Sequence, residues 1–515
     1  MKREDVLMKT ILCGTALGMV AMPAISEGMP EKKAKGKPNI IFLTTDQQRF
    51  DTYGAVKSDW PQLPNLSRLR NEGTTLTNTY SNCPICMPCR YTWITGLYGS
   101  QTERGPVNGY DWPDYHKTMP QALQKAGYHT AIMGKLHAFT VGTLNKYHLN
   151  DLEKHSHVWG YDTVYECSGR AIMTGSSKGG YGIKGCHYTD YLRSKGLYDK
   201  ALKENIERDQ SEESRNGLEP YRPGVLEDVD DTMDGFLVKE ICKFVRDYDK
   251  DKPFFLHASF FAPHYPLDVP PKYFNLFKPE DMPPPVGVKD PEQIRLWQEN
   301  RAMYMALATI VDEQIGKLLK ALEDKGILDD TAIIMTTDHG DMLGDHDLHH
   351  KLHPQEGSAR TPIIVRYPKM IPKSVTLPGL AESVDIPHTI MDIAGISAEE
   401  RSKALPASPG LSFWDYCRKG GDTFRDSAFS EVRGDSKMLR RGDWKYTRSP
   451  GKGGFLFNLA EDPYEQKNLV DAPECSAKLK EMQDALIDRM ASIRIPPIQG
   501  KFRGDEIMKK MDENK

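Results

Sequence analysis

Four apolar runs in this chain each end on residues that can do chemistry. Asp46 and Gln47 follow the run 39–45, Lys135 and His137 follow 130–133, His264 follows 253–261, and Asp338 and His339 follow 331–337. Two carboxylates, an amide oxygen and an imidazole can together hold one divalent cation. The oxygen donors favour a hard ion such as Ca2+, while the nitrogen of His339 pulls toward a softer one. Lysines beside such an ion neutralise an anionic substrate, and histidines carry protons to and from it. A further segment holds Cys83, Cys86 and Cys89. Their spacing first suggests a metal or iron–sulfur site, yet no fourth nearby cysteine followed by proline, and no second CxxC pair, completes one. Cys86 instead opens a helical pattern with Pro88 suited to the first turn, so its side chain lies where the helix dipole favours an anion. His346, His349, His350 and His353 cluster around Lys351. They read as polar loop residues, as a second transition-metal site, or, for His350 and His353, as contacts to a substrate.

These residues need a scaffold that gathers strand ends. Residues 39–45 form a short, apolar, β-branched run and predict a buried strand, and 130–133, 253–261, 331–337 and 361–367 predict four more. Leu237, Ile241, Phe244, Val245 and Tyr248 share one helical face, as do Val311, Ile315, Leu318, Leu319 and Leu322. Near-continuous apolar strands alternating with amphipathic helices argue for an α/β sheet covered on both faces, with its ligand site beyond the carboxyl ends of the strands. The Gly- and Ser-rich stretch 168–185 and the charged stretch 203–231 read as surface insertions. Gly180, Gly182 and Gly185 have the spacing of a dinucleotide fingerprint, but no strand precedes them and no helix pattern follows. After Gly395 the composition turns polar and aromatic. Residues 438–441 and 444–447 read as short strands and 474–493 as a helix, which gives a smaller C-terminal α+β subdomain. The expected division is a catalytic domain over 38–400, the subdomain over 401–495 and a charged tail over 496–515.

The 515 residues include 68 Lys and Arg against 72 Asp and Glu, a formal net charge of −4. So even a balance argues against a nucleic-acid partner, and 39% apolar with 27% charged residues argues against a disordered chain. Lys2, Arg3 and Lys9 precede an apolar stretch over 10–25 that ends in small residues. This predicts a signal peptide over 1–26 and an exported protein, periplasmic or secreted. No later run is apolar enough to span a membrane. Loss of Cys13 with the leader leaves eight of the nine cysteines, too few for a disulfide scaffold in a chain of this length.

Cys86, Pro88, Arg90 and the Thr95-Gly96 pair resemble the signature of the type I, formylglycine-dependent sulfatases: C-x-P-x-R, a short helix, then T-G. Cys89 stands where Ser or Ala is usual. The resemblance runs over about residues 38–470. Asp46-Gln47 is similar to the opening calcium segment, where many members carry Asp-Asp. Gly127, Gly134, Lys135 and His137 are similar to G-Y-x-T…G-K-W-H, with Leu136 for Trp. Pro263, His264 and Pro266 match P-H-x-P. Asp338, His339 and Lys351 resemble the second metal segment and its lysine, with His339 where many members have Asn.

This resemblance implies the alkaline-phosphatase-like fold, a large mixed sheet sandwiched by helices with a smaller C-terminal α+β subdomain. It implies that a dedicated maturation enzyme converts Cys86 to formylglycine (3-oxoalanine), whose hydrate attacks sulfur. Arg90 and His137 would steady the hydrate, Lys135 and Lys351 would hold sulfate oxygens, and His264 would protonate the leaving oxygen. Asp46, Gln47, Asp338 and His339 would hold Ca2+. The activity it implies is hydrolysis of sulfate esters, with a sulfated carbohydrate as the expected substrate. The alternatives are a phosphodiesterase or phosphonate monoester hydrolase of the same superfamily, or an inactive protein that binds sulfated glycans.

Overall fold

The computed structural model describes residues 36–103, 105–169, 184–432, 435–451 and 453–496. The signal-peptide reading over 1–26, most of the stretch 168–185 with Gly180 and Gly182, and the tail beyond Pro496 lie outside the described residues.

Strand β1 (Asn39–Asp46) is buried from Ile40 onward, as a strand covered on both faces must be. It pairs in parallel with β5 (Phe254–Pro263) on one side and with β6 (Thr331–Thr337) on the other. Beyond β5 lie β3 (His129–Gly134) and β4 (Thr163–Glu166), also parallel. Beyond β6 lie β7 (Ile363–Arg366), β2 (Thr74–Tyr80) and β8 (Val375–Glu382). The order is β4-β3-β5-β1-β6-β7-β2-β8. Only β7 runs against its neighbours, which makes the sheet mixed. Because β1, β3, β5 and β6 point the same way, Asp46, Lys135, His264 and Asp338 all emerge at one edge.

Helices flank the sheet. Met233–Asp247 is capped by Thr232, whose hydroxyl accepts from the Gly235 amide, and the 34-residue helix Pro291–Asp324 is capped by Asp290. Leu237, Ile241, Val245, Ile315, Leu318, Leu319 and Leu322 are buried, as their spacing predicts. Phe244 and Tyr248 meet Phe254 of β5 edge-on. The helix Cys86–Thr95 is buried along its whole length, and its Trp93 meets Phe42 of β1 edge-to-face at 5.1 Å.

Three readings change. Residues 203–231 are not a plain surface insertion. Residues 203–209 complete the helix Tyr198–Asp209, in which Glu204 and Arg208 are buried and paired at 3.2 Å. Arg208 also donates to the carbonyls of Pro220 and Arg222. Its charge turns inward to satisfy the turn that follows, which a count of charged residues does not reveal. The run 361–367 shrinks to the four residues of β7. Strands β2 and β8 escape the pattern because β2 is rich in threonine and β8 contains Pro378 and Gly379, so neither presents an apolar run.

The C-terminal part is a second, antiparallel sheet of β9 (Ala428–Val432), β10 (Ser436–Arg441), β11 (Trp444–Ser449) and β12 (Gly453–Asn458). The helix Ser476–Ala491, two residues shorter at each end than expected, packs Met482 and Leu486 against Phe429, Leu439 and Tyr446. A buried ionic cluster joins this sheet to the larger one. Lys445 of β11 lies 2.8 Å from both Glu356 and Glu465, and Arg440 of β10 donates to the Tyr80 hydroxyl of β2. Burial alone would raise the Glu356 carboxyl, but Lys445, Arg360 and Arg440 hold it at about 2.

Removing the cation would leave the buried Glu465 without its cation and Glu356 with only Arg360 and Arg440, and breaking a buried ion pair typically costs about 3–5 kcal/mol. Lys445→Met is therefore expected to lower Tm by several degrees in a thermal melt. A melt unchanged from the wild type would contradict that role.

Candidate active site

The helix Cys86–Thr95 begins without a local side-chain cap at Ile85. The distant Asn108 supplies one, its Oδ1 accepting from the Met87 amide at 3.1 Å. This fixes the helix start and with it Cys86, whose thiol meets a ring of polar groups. Lys351 Nζ lies 3.0 Å from Sγ and His339 Nε2 lies 3.2 Å from it. Burial pushes the thiol up, but Lys135, Lys351 and His339 overcome that and hold it well below the usual thiol range. The site thus stabilises negative charge at position 86.

One turn on, Arg90 is fully buried. Its Nε donates to Asp338 Oδ2 at 3.0 Å and its Nη2 to Asp46 Oδ2 at 3.3 Å. Its Nη1 donates to the Lys135 carbonyl at 2.7 Å and to Ser259 Oγ at 2.8 Å. Lys135 Nζ also bonds Asp46 Oδ2. These bonds turn one oxygen of each carboxylate toward protein cations and leave Oδ1 of each facing His339, whose Nε2 lies 3.6 Å from Asp338 Oδ1 and 3.9 Å from Asp46 Oδ1. The donor atoms of Asp46, Cys86, Asp338 and His339 all lie within 4.8 Å of one another. Ligands of a common ion at 2.3–2.6 Å are themselves about 3–5 Å apart, so this spacing suits a divalent cation. The other ring nitrogen of His339, Nδ1, faces the Gly340 carbonyl at 2.9 Å, which turns the lone pair of Nε2 toward the cluster.

Gln47 is held beside this group with φ 64°. Its Oε1 accepts from Lys351 at 3.0 Å and its amide donates to Asp341. Lys351 also reaches His264 Nε2 at 2.8 Å, and the Tyr265 carbonyl holds His264 Nδ1. Burial first, then Lys351, depress His264 and favour its neutral form. Burial likewise depresses His137. A cavity of about 320 Å³ opens onto Cys86, Lys135, His137, His264 and Lys351, with Met87, Phe261, Tyr265 and Leu307 among its apolar walls. The ten residues Asp46, Gln47, Cys86, Arg90, Lys135, His137, His264, Asp338, His339 and Lys351 therefore meet in one place. Neither His350 nor His353 lines the cavity. The His350 ring packs on Tyr265 at 4.7 Å, and His353 turns toward the His349 carbonyl.

Some neighbours were not read from the sequence. Asp341, three residues after Asp338, holds the amide of Gln47, and its place in an Asp-His-Gly-Asp run was the available signal. Asn108 and Ser259 act through the fold and leave no local pattern. Glu166 closes β4, and its Oε1 accepts from the His137 amide at 2.9 Å.

A mixed eight-stranded sheet flanked by helices, with a buried, cation-ringed cysteine at its carboxyl edge and a smaller antiparallel sheet after it, is the alkaline-phosphatase-like fold class. The chain belongs to the sulfatase family, whose profile matches residues 38–396, and is by that membership a sulfuric ester hydrolase. It is 29% identical over 497 residues to an arylsulfatase of Clostridium perfringens (strain 13 / Type A), covering 91% of this chain and 96% of that protein. A phosphonate monoester hydrolase of Agrobacterium radiobacter shares the fold, with a TM-score of 0.69 at 22% identity over 89% of this chain and 96% of that one. So does a structure solved in complex with its substrate D-glucosamine-2-N,6-O-disulfate, with a TM-score of 0.66 at 21% identity over 88% of this chain and 98% of that one.

Burial raises the Glu166 carboxyl from 4.5 to about 8. Between these values the folded protein keeps a proton that the unfolded chain releases, so this group's contribution to stability is greatest below pH 4.5 and is lost as pH rises through 8. Glu166→Gln keeps the carbonyl acceptor and removes the ionisation. Its Tm relative to wild type is expected to rise between pH 5 and pH 9, and a constant difference over that range would contradict the assignment.

Proposed function

We propose that the chain hydrolyses sulfate esters of carbohydrates, with residue 86 as the nucleophilic position after conversion of Cys86 to formylglycine by a maturation enzyme. The observation that carries this reading is the convergence of Lys135, Lys351, His137 and His264 on a buried residue at a helix start, beside two carboxylates that each turn Oδ1 toward His339. Once formed, the aldehyde hydrate supplies a hydroxyl nucleophile that a thiol-bearing side chain lacks. Asp46, Asp338 and His339 would hold a divalent ion, Ca2+ on the family resemblance, with Gln47 Oε1 beside them. The ion would supply positive charge opposite the sulfate oxygens.

The chain's own residues do the rest. Lys135 and Lys351 neutralise the sulfate oxygens at the cavity floor. His137 and Arg90 steady residue 86. His264 donates its Nδ1 proton to the Tyr265 carbonyl and accepts at Nε2 from Lys351, so the proton for the leaving oxygen comes from the Lys351 ammonium and passes through Nε2. The leader places the enzyme outside the cytoplasm, and residues 38–400 and 401–495 form its catalytic and C-terminal parts.

The structural likeness to the phosphonate monoester hydrolase favours one second reading, in which a tetrahedral phosphorus ester takes the same place. A direct comparison separates the two, using sulfated mono- and disaccharides against phosphate and phosphonate esters under one condition. Sulfate release at least about 100-fold faster in kcat/KM, a difference of about 2.7 kcal/mol in transition-state binding, is the expected result. Preference for the phosphorus esters would overturn it. Cys86→Ala is expected to lower kcat by at least about 1,000-fold, the scale of losing covalent catalysis. Dialysis against a chelator is expected to remove activity that Ca2+ restores, and full activity after exhaustive chelation would remove the ion from the account.

A further inference from the structure

We propose that Cys167 and Cys186 are a disulfide-forming pair, and that their cross-link fastens the end of β4 to the helix His187–Ser194. Both are free thiols buried in the main core; the Ser168 hydroxyl, next to Cys167 in the chain, lies 3.7 Å from Cys186 Sγ, and each thiol acts on the other's ionisation. Cys167 directly follows β4, and its amide donates to the Gly134 carbonyl at 3.0 Å. Cys186 caps the helix His187–Ser194, its amide donating to Thr189 Oγ1 at 2.8 Å. Other described cysteines are engaged elsewhere. Cys83 donates to the Pro106 carbonyl, Cys89 meets the Ser383 hydroxyl, and Cys242 donates to the Lys317 carbonyl.

The two sulfurs are not equivalent. Cys186 receives the Cys167 thiol, which is the largest influence on it. Although burial opposes them, the amides of Ser168 and Thr189 and the Ser168 hydroxyl at 3.7 Å add to the effect, bringing it down to about 5. Cys167, which donates, is raised. Both sulfurs are buried in the folded chain, so exchange with an oxidant takes place before this wall closes over them, beginning with the Cys186 thiolate. Its sulfur attacks one sulfur of a disulfide oxidant, such as oxidised glutathione or a disulfide oxidoreductase, forming a mixed disulfide and releasing one oxidant thiolate. Cys167 then loses its proton and attacks Cys186 Sγ, the mixed S–S bond breaks, and the second oxidant thiolate leaves. Two protein thiols give up two electrons and two protons, and the oxidant disulfide takes up the electrons.

The position gives the bond a purpose. Cys167 binds the strand end at Gly134, one residue before Lys135, and Glu166 beside it holds the His137 amide. A covalent tie here would secure the wall that presents Lys135 and His137 to the cavity. It would also protect two thiols from mispairing with Cys86 before that residue is converted.

The test is a disulfide map of the full chain produced in an oxidising compartment, with free thiols alkylated in acidic denaturant before digestion. The expected result is a peptide pair joined at Cys167 and Cys186 that separates on reduction, together with a Tm that falls by several degrees when reductant is added. Recovery of the two residues as separately alkylated peptides, or joined to other cysteines, would overturn the proposal. A folded Cys167→Ser/Cys186→Ser double variant is expected to lose the response of Tm to reductant, and a retained response would also overturn it. If the double variant does not fold, the wild-type map decides alone. Neither readout uses turnover, so the outcome is independent of whether the enzyme prefers sulfate.

Discussion

The Arg90 guanidinium sits with no exposed surface between Asp46 at the end of β1, the Lys135 carbonyl after β3, Ser259 on β5 and Asp338 after β6. A buried cation is costly to leave unpaired, and this one is paired on every side by groups from four different strands. The requirement works in both directions. The carboxylates must turn one oxygen to Arg90, which leaves the other facing the centre, that of Asp338 also accepting from the Gln47 and His339 amides, and the helix carrying Arg90 must lie where its first residue, Cys86, reaches that centre. Placement of residue 86, orientation of the candidate ion ligands and closure of the strand edge thus follow from one side chain.

The same geometry sets the electrostatics. With a thiol at position 86, the surrounding Lys135, Lys351 and His339 favour its ionised form, so the unconverted side chain answers much of the positive field itself. A neutral side chain at 86, as conversion to an aldehyde would give, leaves that field directed into the cavity. An anionic ester then meets cations that have lost an internal partner. Positive charge arranged before the reaction is the kind of preorganisation that lowers a barrier without reorganisation at the moment of reaction. The apolar walls at Phe261, Tyr265 and Leu307 strengthen it by excluding water.

Much of this was legible in the sequence because the site is built from strand ends. Apolar runs such as 39–45 and 331–337 announce buried parallel strands, and the polar residues that stop them are the ones a shared edge must gather. The helix start at Cys86 was legible from Pro88. What stayed hidden was built from groups far apart in sequence. Asn108 caps that helix from another loop, Ser259 lies inside a strand with its hydroxyl turned to Arg90, and Glu166 closes a strand of only four residues. The inward turn of Arg208 was equally invisible, because charge in a sequence carries no direction. His350 and His353 were singled out by proximity to Lys351, yet backbone geometry there, with His350 at φ 58° and Leu352 at φ 68°, turns alternate residues away from the cavity.

The central claim is that residue 86 does its work as a carbonyl carbon rather than as sulfur. Mass analysis of the peptide containing residue 86, from protein isolated in its active form and probed with a hydrazide reagent, addresses that claim directly. The account predicts a peptide lighter by the replacement of a thiol with an aldehyde, labelled by the hydrazide and refractory to thiol alkylation, in an amount that tracks specific activity. Fully active protein whose residue 86 is entirely an alkylatable cysteine would contradict it.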